Sequence, residues 1–168
     1  NNLLNVSRVE MGNFELRKSP FDLVSAVSAM VKEFVPLTSD KKLNIKVEIE
    51  KDIPLVGLDE KSFGIIFENI FSNAIRYTSS GGSVSVELKK QKDGVLVSVS
   101  DTGCGIPEKQ KDDVFSKSFR ASNAKEISSE GAGLGMYMAK IAAEKNGAKI
   151  WFESAEGEGT TFFVLFKG

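Results

Sequence analysis

Glycine weakens helix and strand interiors and is at home where backbone must turn sharply or approach another group closely. Of this chain's glycine clusters two stand out, Gly103-Cys104-Gly105 and Gly131-Ala132-Gly133-Leu134-Gly135. Each marks a place where backbone must leave regular structure. Both follow a segment of the opposite character, Asn69-Ile70-Phe71-Ser72-Asn73-Ala74-Ile75-Arg76-Tyr77, which has helical spacing and two amides one turn apart. A fold that accepts this chain must therefore set one amide-bearing helix beside two glycine loops.

On a helix over 59–77, Asn69, Asn73 and Arg76 fall at i, i+4 and i+7 and share one stripe. Phe63, Ile66, Phe67, Ile70 and Ala74 form an adjoining apolar stripe, so the helix can face a core and a polar cavity together. Amide oxygens are hard, neutral ligands suited to Mg²⁺, which takes few protein ligands beside phosphate oxygens. Arg76 adds a positive fork for phosphate. Taken alone, the stripe is as readily an ordinary solvated face, although asparagine is a poor helix former.

Asp101-Thr102-Gly103-Cys104-Gly105-Ile106-Pro107 ends a strand. Its glycines let backbone approach a flat ligand, and its carboxylate can accept from an exocyclic amine such as that of adenine. By itself it reads more simply as an Asp-Gly turn. Cys104 reads as a small packed side chain, since the chain has no histidine to activate it. Gly131–Gly135 runs straight into a helix, where loop and helix-terminal N–H groups make a phosphate site; alone it could be a hinge. No Gly-Lys-Ser/Thr follows, which excludes a Walker A loop, and no βαβ unit surrounds it. In this order the three segments describe a pocket for ATP.

Periodicity supplies the rest. Residues 3–11 have helical spacing and stop at Gly12-Asn13, and 14–17 alternate as a short strand. Ser19-Pro20-Phe21-Asp22 opens a helix to about 38, Leu43–Ile49 alternates as a half-wet strand, and 54–58 is a short extended piece. Asp59 is the N-cap of the helix to Tyr77. Strands Ser83–Lys89 and Val95–Ser100 join through Lys92-Asp93-Gly94. Residues 116–132 lack periodicity and read as a mobile loop. Leu134–Asn146 is a helix capped by Gly147, and Lys149–Ser154 and Thr161–Phe166 close the sheet. The expected fold is α+β, a two-layer sandwich of three helices on one face of a mixed, mostly antiparallel sheet.

Composition narrows the function. The 168 residues suit one domain, and 22 basic against 23 acidic residues leave a net charge of −1. That balance gives no footprint for nucleic acid and no polybasic arm for a membrane. One cysteine excludes an internal disulfide and fits a reducing, cytoplasmic setting. No stretch approaches the ~20 apolar residues of a membrane span. The opening Asn1-Asn2, without methionine, suggests a segment of a longer protein, whose inner-membrane anchor, if it has one, would lie outside it.

These residues resemble the catalytic ATP-binding domain of sensor histidine kinases, within the superfamily of gyrase, Hsp90 and MutL. Asn69–Tyr77 is similar to its N box, Asp101–Gly105 to its first glycine box and Gly131–Gly135 to its second. Gly157-Glu158-Gly159-Thr160-Thr161-Phe162 is similar to its final glycine element, and Gly147–Ser154 to the passage from last helix to last strands. The resemblance covers 14–168 and implies a Bergerat-type sandwich. It makes residues 1–13 the end of a dimerisation and phosphoacceptor helix.

The resemblance implies that Asn73 binds Mg²⁺ with Asn69 beside it, that Arg76 contacts phosphate and that Tyr77 packs on the nucleotide. It implies that Asp101 recognises the adenine amine and that Gly133 and Leu134 offer backbone to phosphates. Gly103, Gly105, Ile106, Gly131, Gly135 and Thr161 complete the nucleotide set. Residues 116–132 become the ATP lid, to which Phe115, Phe119 and Arg120 belong. The chain departs from the family's two phenylalanines three apart: Phe115 is followed by Ser118, with Phe119 one place later.

The implied activity is transfer of the ATP γ-phosphate to a histidine on a dimerisation domain absent from this chain, in two-component signalling. Its partners would be that domain and a response-regulator receiver, with the isolated domain monomeric. Two alternatives stay open: an ATPase or serine kinase of the superfamily, or a degenerate nucleotide-binding module. Against the former, the superfamily's glutamate base is replaced by Asn69, and Glu68 points about 100° away around the helix.

Overall fold

A computed structural model describes residues 16–128 and 131–168. The expected helix over 3–11 and the first residues of the expected strand at 14–17 lie outside the described residues.

The chain order is β1 (Ser19–Phe21), α1 (Leu23–Phe34), a 3₁₀ turn (Val35–Lys41), β2 (Asn44–Ile49), β3 (Val56–Leu58) and α2 (Glu60–Tyr77). Then come β4 (Ser83–Gln91), β5 (Gly94–Asp101), a second 3₁₀ turn (Glu108–Asp113), α3 (Ser122–Ile127), α4 (Gly135–Asn146), β6 (Lys149–Ala155) and β7 (Gly159–Lys167). Five strands form one sheet in the order β2-β4-β5-β7-β6, and β1 and β3 form a separate two-stranded ribbon. Only β2–β4 is parallel; the other pairs are antiparallel.

The first helix differs at both ends from expectation. Ser19–Phe21 is a strand paired with Val56–Leu58, and Pro20 is tolerated there because the ribbon has free edges. The helix starts only at Leu23, because Asp22 is its cap: Oδ1 accepts from the N–H groups of Val24 (3.0 Å) and Ser25 (3.1 Å). It tightens into a 3₁₀ turn from Val35, where Pro36 removes a helical donor.

One core joins the layers. Strands β4, β5 and β7 contribute Val84, Val86, Leu88, Val95, Val97, Val99, Phe162, Val164 and Phe166 on alternate positions. Helices α1, α2 and α4 cover that face with Leu23, Val27, Val31, a row of phenylalanines, and Ala139, Ala142 and Ala143. On α2 the row has i, i+4 spacing: Phe63 stacks on Phe67 at 5.6 Å and Phe67 on Phe71 at 5.4 Å, both at 17°.

The two pocket-bearing helices are tied at the end remote from the pocket. Asp59 caps α2 through Ser62 N–H (2.8 Å). Its own N–H reaches Asn146 Oδ1 at the end of α4 (3.2 Å), and its Oδ2 accepts from Arg17 N–H (3.1 Å). Lys18 Nζ donates to Asn146 O (2.7 Å), and α4 stops at Gly147 with φ 75°.

Candidate functional site

Asp101 owes its position to strand parity. Val95, Val97, Val99 and Asp101 alternate along β5 onto the face that the helices cover, so the carboxylate continues a row of core valines. Its register partners are Val84 on β4 and Thr160 on β7. Past the end of the helical layer this row opens into a cavity of about 400 Å³, within the range of small-ligand pockets. Burial pushes the Asp101 carboxyl up to about 6, against the backbone N–H groups of Gly103 and Thr160, which favour the charged form. Gly103 N–H lies 2.8 Å from Oδ1.

Helix α2 forms the opposite wall. Asn69, Asn73, Arg76 and Tyr77 line the cavity while Ile66, Phe67, Ile70 and Ala74 behind them are buried. The Asn69 amide is oriented, since Nδ2 donates to Ile65 O at 2.7 Å. Its Oδ1 then lies against Gly135, where a Cβ would come within 2.7 Å of it. Glycine is what lets α4 begin so close to the amide. The C-terminus of α2 is held by Lys41, whose Nζ donates to the carbonyls of Ile75 (3.1 Å), Arg76 (2.6 Å) and Thr78 (3.0 Å). Burial and then the neighbouring Arg76 hold the Lys41 ammonium below its ordinary pKa.

The third wall runs from Phe119 to Met138. Phe119, Arg120, Ala121, Ala124, Gly131, Ala132, Gly133, Leu134 and Gly135 line it. The expected structureless loop over 116–132 instead contains helix α3, six residues long. The spacing of Phe115 and Phe119 is accommodated by Ser118, whose φ is 60°. Phe115 packs between Phe152 (5.7 Å) and Phe162 (6.3 Å) behind the wall, while Phe119 reaches the cavity. Arg120 donates to the Ser128 carbonyl and to Gly131 O (3.3 Å).

Gly105, Ile106 and Cys104 also line the cavity. Cys104 is half-buried, and burial raises its thiol pKa, with the Asp101 carboxylate adding to the effect. That is the condition of a packed, unreactive side chain. Three expected residues are not on the cavity surface: Gly103, Phe115 and Thr161. Thr161 faces the other side of the sheet, where its hydroxyl is 2.8 Å from that of Ser100. Thr160, in register with Asp101, lines the cavity in its place, and counting back by twos from the apolar Phe166, Val164 and Phe162 finds it. Glu68 also borders the cavity, although its helical angle points it aside. Ser72 and Phe162, inside the first and last motifs, also line it, and Ile65, Val114, Met136 and Met138 are lining residues that no motif marks.

Residues 58–167 match the family described as "Histidine kinase-, DNA gyrase B-, and HSP90-like ATPase". That is more than half of the chain, and the chain belongs to this family. It is 30% identical over 165 residues to the alginate biosynthesis sensor protein KinB of Pseudomonas aeruginosa, covering 98% of this chain and 27% of KinB. It superposes on the catalytic domain of the histidine kinase ThkA with a TM-score of 0.78 at 25% identity, covering 90% of this chain and 96% of that one. Full-length ShkA, solved in complex with AMPPNP, shares the fold at 22% identity with a TM-score of 0.84, over 100% of this chain and 35% of ShkA. The domain is thus an ATP-binding catalytic domain of the sensor histidine kinase type. It spans 27% to 42% of the length of the curated relatives it first matches. No helix among the described residues is long and apolar enough to cross a membrane.

Proposed function

We propose that this domain binds Mg²⁺-ATP and donates the γ-phosphate to a histidine on a dimerisation domain of the same protein, from which a response-regulator receiver takes it. One observation carries the reading: a half-buried carboxylate and a stripe of two amides and a guanidinium face one cavity from opposite walls. Asp101 takes the adenine amine, and Tyr77 and Ile106 flank the base. Arg76 and the backbone of Gly131, Gly133 and Leu134 receive the phosphates.

The donor set fits Mg²⁺. Among the described residues no group of three His, Cys, Asp or Glu could hold a metal, so an ion here rests on amide and phosphate oxygens. Asn73 and Asn69 would hold it, since the Asn69 Nδ2 is occupied and its Oδ1 remains for a cation. When bound, Mg²⁺ neutralises charge on the phosphates; the chain's own part is to position and orient them. Asn69 cannot take a proton from water, which favours an acceptor that is already nucleophilic, such as neutral imidazole. In this reading residues 1–13 end the dimerisation helix, residues 14–168 are the catalytic domain, and the domain works in the cytoplasm as a monomer when separated from its helices.

Calorimetry tests the site. Asn73→Ala should weaken Mg²⁺-dependent ATP binding about tenfold, the loss of ~1.4 kcal/mol, with the fold retained. Equal Mg²⁺-ATP affinity in the two proteins would remove Asn73 from the metal site.

A further inference from the structure

Helix α3, Ser122–Ile127, has no reason of its own to exist. Six residues are far below the ~12 needed for a helix to persist by itself, and Ala121 provides no side-chain cap. Its stability must come from elsewhere in the fold, and two tethers supply it. Gln110 Oε1 accepts from Ser122 N–H at 2.9 Å while Gln110 Nε2 donates to Ser122 Oγ at 3.0 Å. Asn123 Nδ2 donates to Cys104 O at 3.2 Å and to Gly105 O at 3.0 Å.

The second tether reaches the loop that follows Asp101. Cys104 O also accepts from Gly157 N–H at 2.8 Å, so Asn123 and the β6–β7 turn clamp that loop from two sides. Both loop residues, and Ala121 and Ala124 on either side of Asn123, line the cavity. The amide can face only one way, because turning it over would set Oδ1 against two carbonyl oxygens. In this orientation Oδ1 is buried without a hydrogen-bond partner. Buried acceptors are rarely left so, and this one follows from aiming the amide nitrogen at the two carbonyls. By contrast Gly131 and Gly133, at the other end of the lid, have φ of 112° and 69°.

We propose that Asn123 is a positioning residue of the nucleotide site, a latch that holds the lid helix on the Cys104–Gly105 loop before ligand arrives and thereby slows nucleotide escape. The proposal rests on the ATP reading above. It divides the lid into a half that is docked in advance and a glycine half that is left to respond to phosphates. Asn123 touches no reacting atom; it acts through the loop and through Ala121 and Ala124.

The test uses the intact chain, Asn123→Ala and Asn123→Asp, the latter close in shape but unable to donate when ionised. Stopped-flow displacement of a fluorescent ATP derivative reads dissociation, and hydrogen exchange of residues 122–127 reads the latch without ligand. Losing a two-carbonyl tether should speed dissociation roughly tenfold and leave association within about twofold, with the unfolding midpoint near that of the parent. Exchange of 122–127 should be slow in the parent and fast in both variants. Gln110→Ala, which cuts the other tether, should loosen the same residues and serves if an Asn123 variant does not fold. Unchanged dissociation, or exchange of 122–127 in the ligand-free parent as fast as in an unfolded peptide, would overturn the latch. If the parent binds no ATP derivative, the functional reading fails, and the exchange arm still decides the latch.

Discussion

The two walls of the cavity are built on opposite terms. The α2 wall stands on a column of buried phenylalanines, is capped by Asp59 at one end and Lys41 at the other, and presents Asn69, Asn73 and Arg76 from rigid backbone. The lid wall has a six-residue helix and glycines with positive φ, with side-chain hydrogen bonds and small buried alanines where α2 has its phenylalanines. The difference separates two tasks. In the proposed function, selecting a base and placing a metal would need groups that do not move, and the residues assigned to both tasks sit where folding has already ordered the backbone. Admitting and releasing nucleotide needs a wall that can open, and low local stability is what permits it.

The strongest way to break this comparison is to weaken the α2 wall from behind. Phe67→Ala leaves a cavity between Phe63 and Phe71 and should cost about 3–5 kcal/mol of stability. Ile127→Ala, on an exposed lid residue 47% accessible, should stay within ~0.5 kcal/mol. Denaturant unfolding of both variants reads the contrast, and similar losses would show that the lid is as deeply built as α2.

A second test sets stability against binding at Asp101. Its pKa of about 6 in the fold, above the ordinary aspartate value of about 4, means that the folded protein holds its proton more tightly than the unfolded chain. The group's contribution to stability is therefore fully present below about pH 4 and is lost as pH rises through about 6, a change of up to roughly 3 kcal/mol. The proposed adenine contact would use the ionised form, so ATP affinity should rise over the same interval. Asp101→Asn should raise the unfolding midpoint at pH 7.5 while weakening ATP binding more than tenfold, the ~1.5–3 kcal/mol of a charge-assisted hydrogen bond. The parent should also prefer ATP to GTP clearly. A variant that binds ATP as the parent does, or is less stable than the parent, would show that Asp101 is a structural turn residue.

The smallest expected effect sharpens the comparison at the edge of the rigid wall. Lys41→Met removes the donor to three carbonyls at the end of α2 and should cost about 1 kcal/mol of stability. Phosphate-end binding should weaken with it, through Arg76, while adenosine binding is unchanged; Lys41→Arg should recover much of both. Equal losses for ATP and adenosine in titrations would mean that Lys41 supports the fold without orienting Arg76.

What could be read from the residues follows the same division. The α2 stripe and its apolar neighbour were legible because helical period fixes which side chains share a face, and Asp101 because a strand ended on a carboxylate followed by glycine. Family membership came with them, since the asparagine helix and both glycine loops are contiguous in sequence. The motif points to Thr161 while Thr160 lines the cavity, because a motif names residues without saying which face of the strand each occupies. The ribbon strand Ser19–Phe21 looks like a helix start in the sequence because its partner, Val56–Leu58, lies far along the chain. Helix α3 went unseen because six residues carry too little periodicity. Gln110 and Asn123, which hold it, act across distances in sequence that no local pattern records.

The most direct measurement is phosphate transfer from γ-labelled ATP, since the central claim is that this domain is the donor half of a histidine kinase. The domain alone, with no histidine in its sequence, should incorporate no acid-labile label and should hydrolyse ATP very slowly, because Asn69 stands where a water-activating carboxylate would be needed. The same domain joined after a histidine-bearing dimerisation domain of its own protein, which raises the effective concentration of the acceptor, should label that histidine. Label on this chain alone, or rapid phosphate release without an acceptor, would contradict the account.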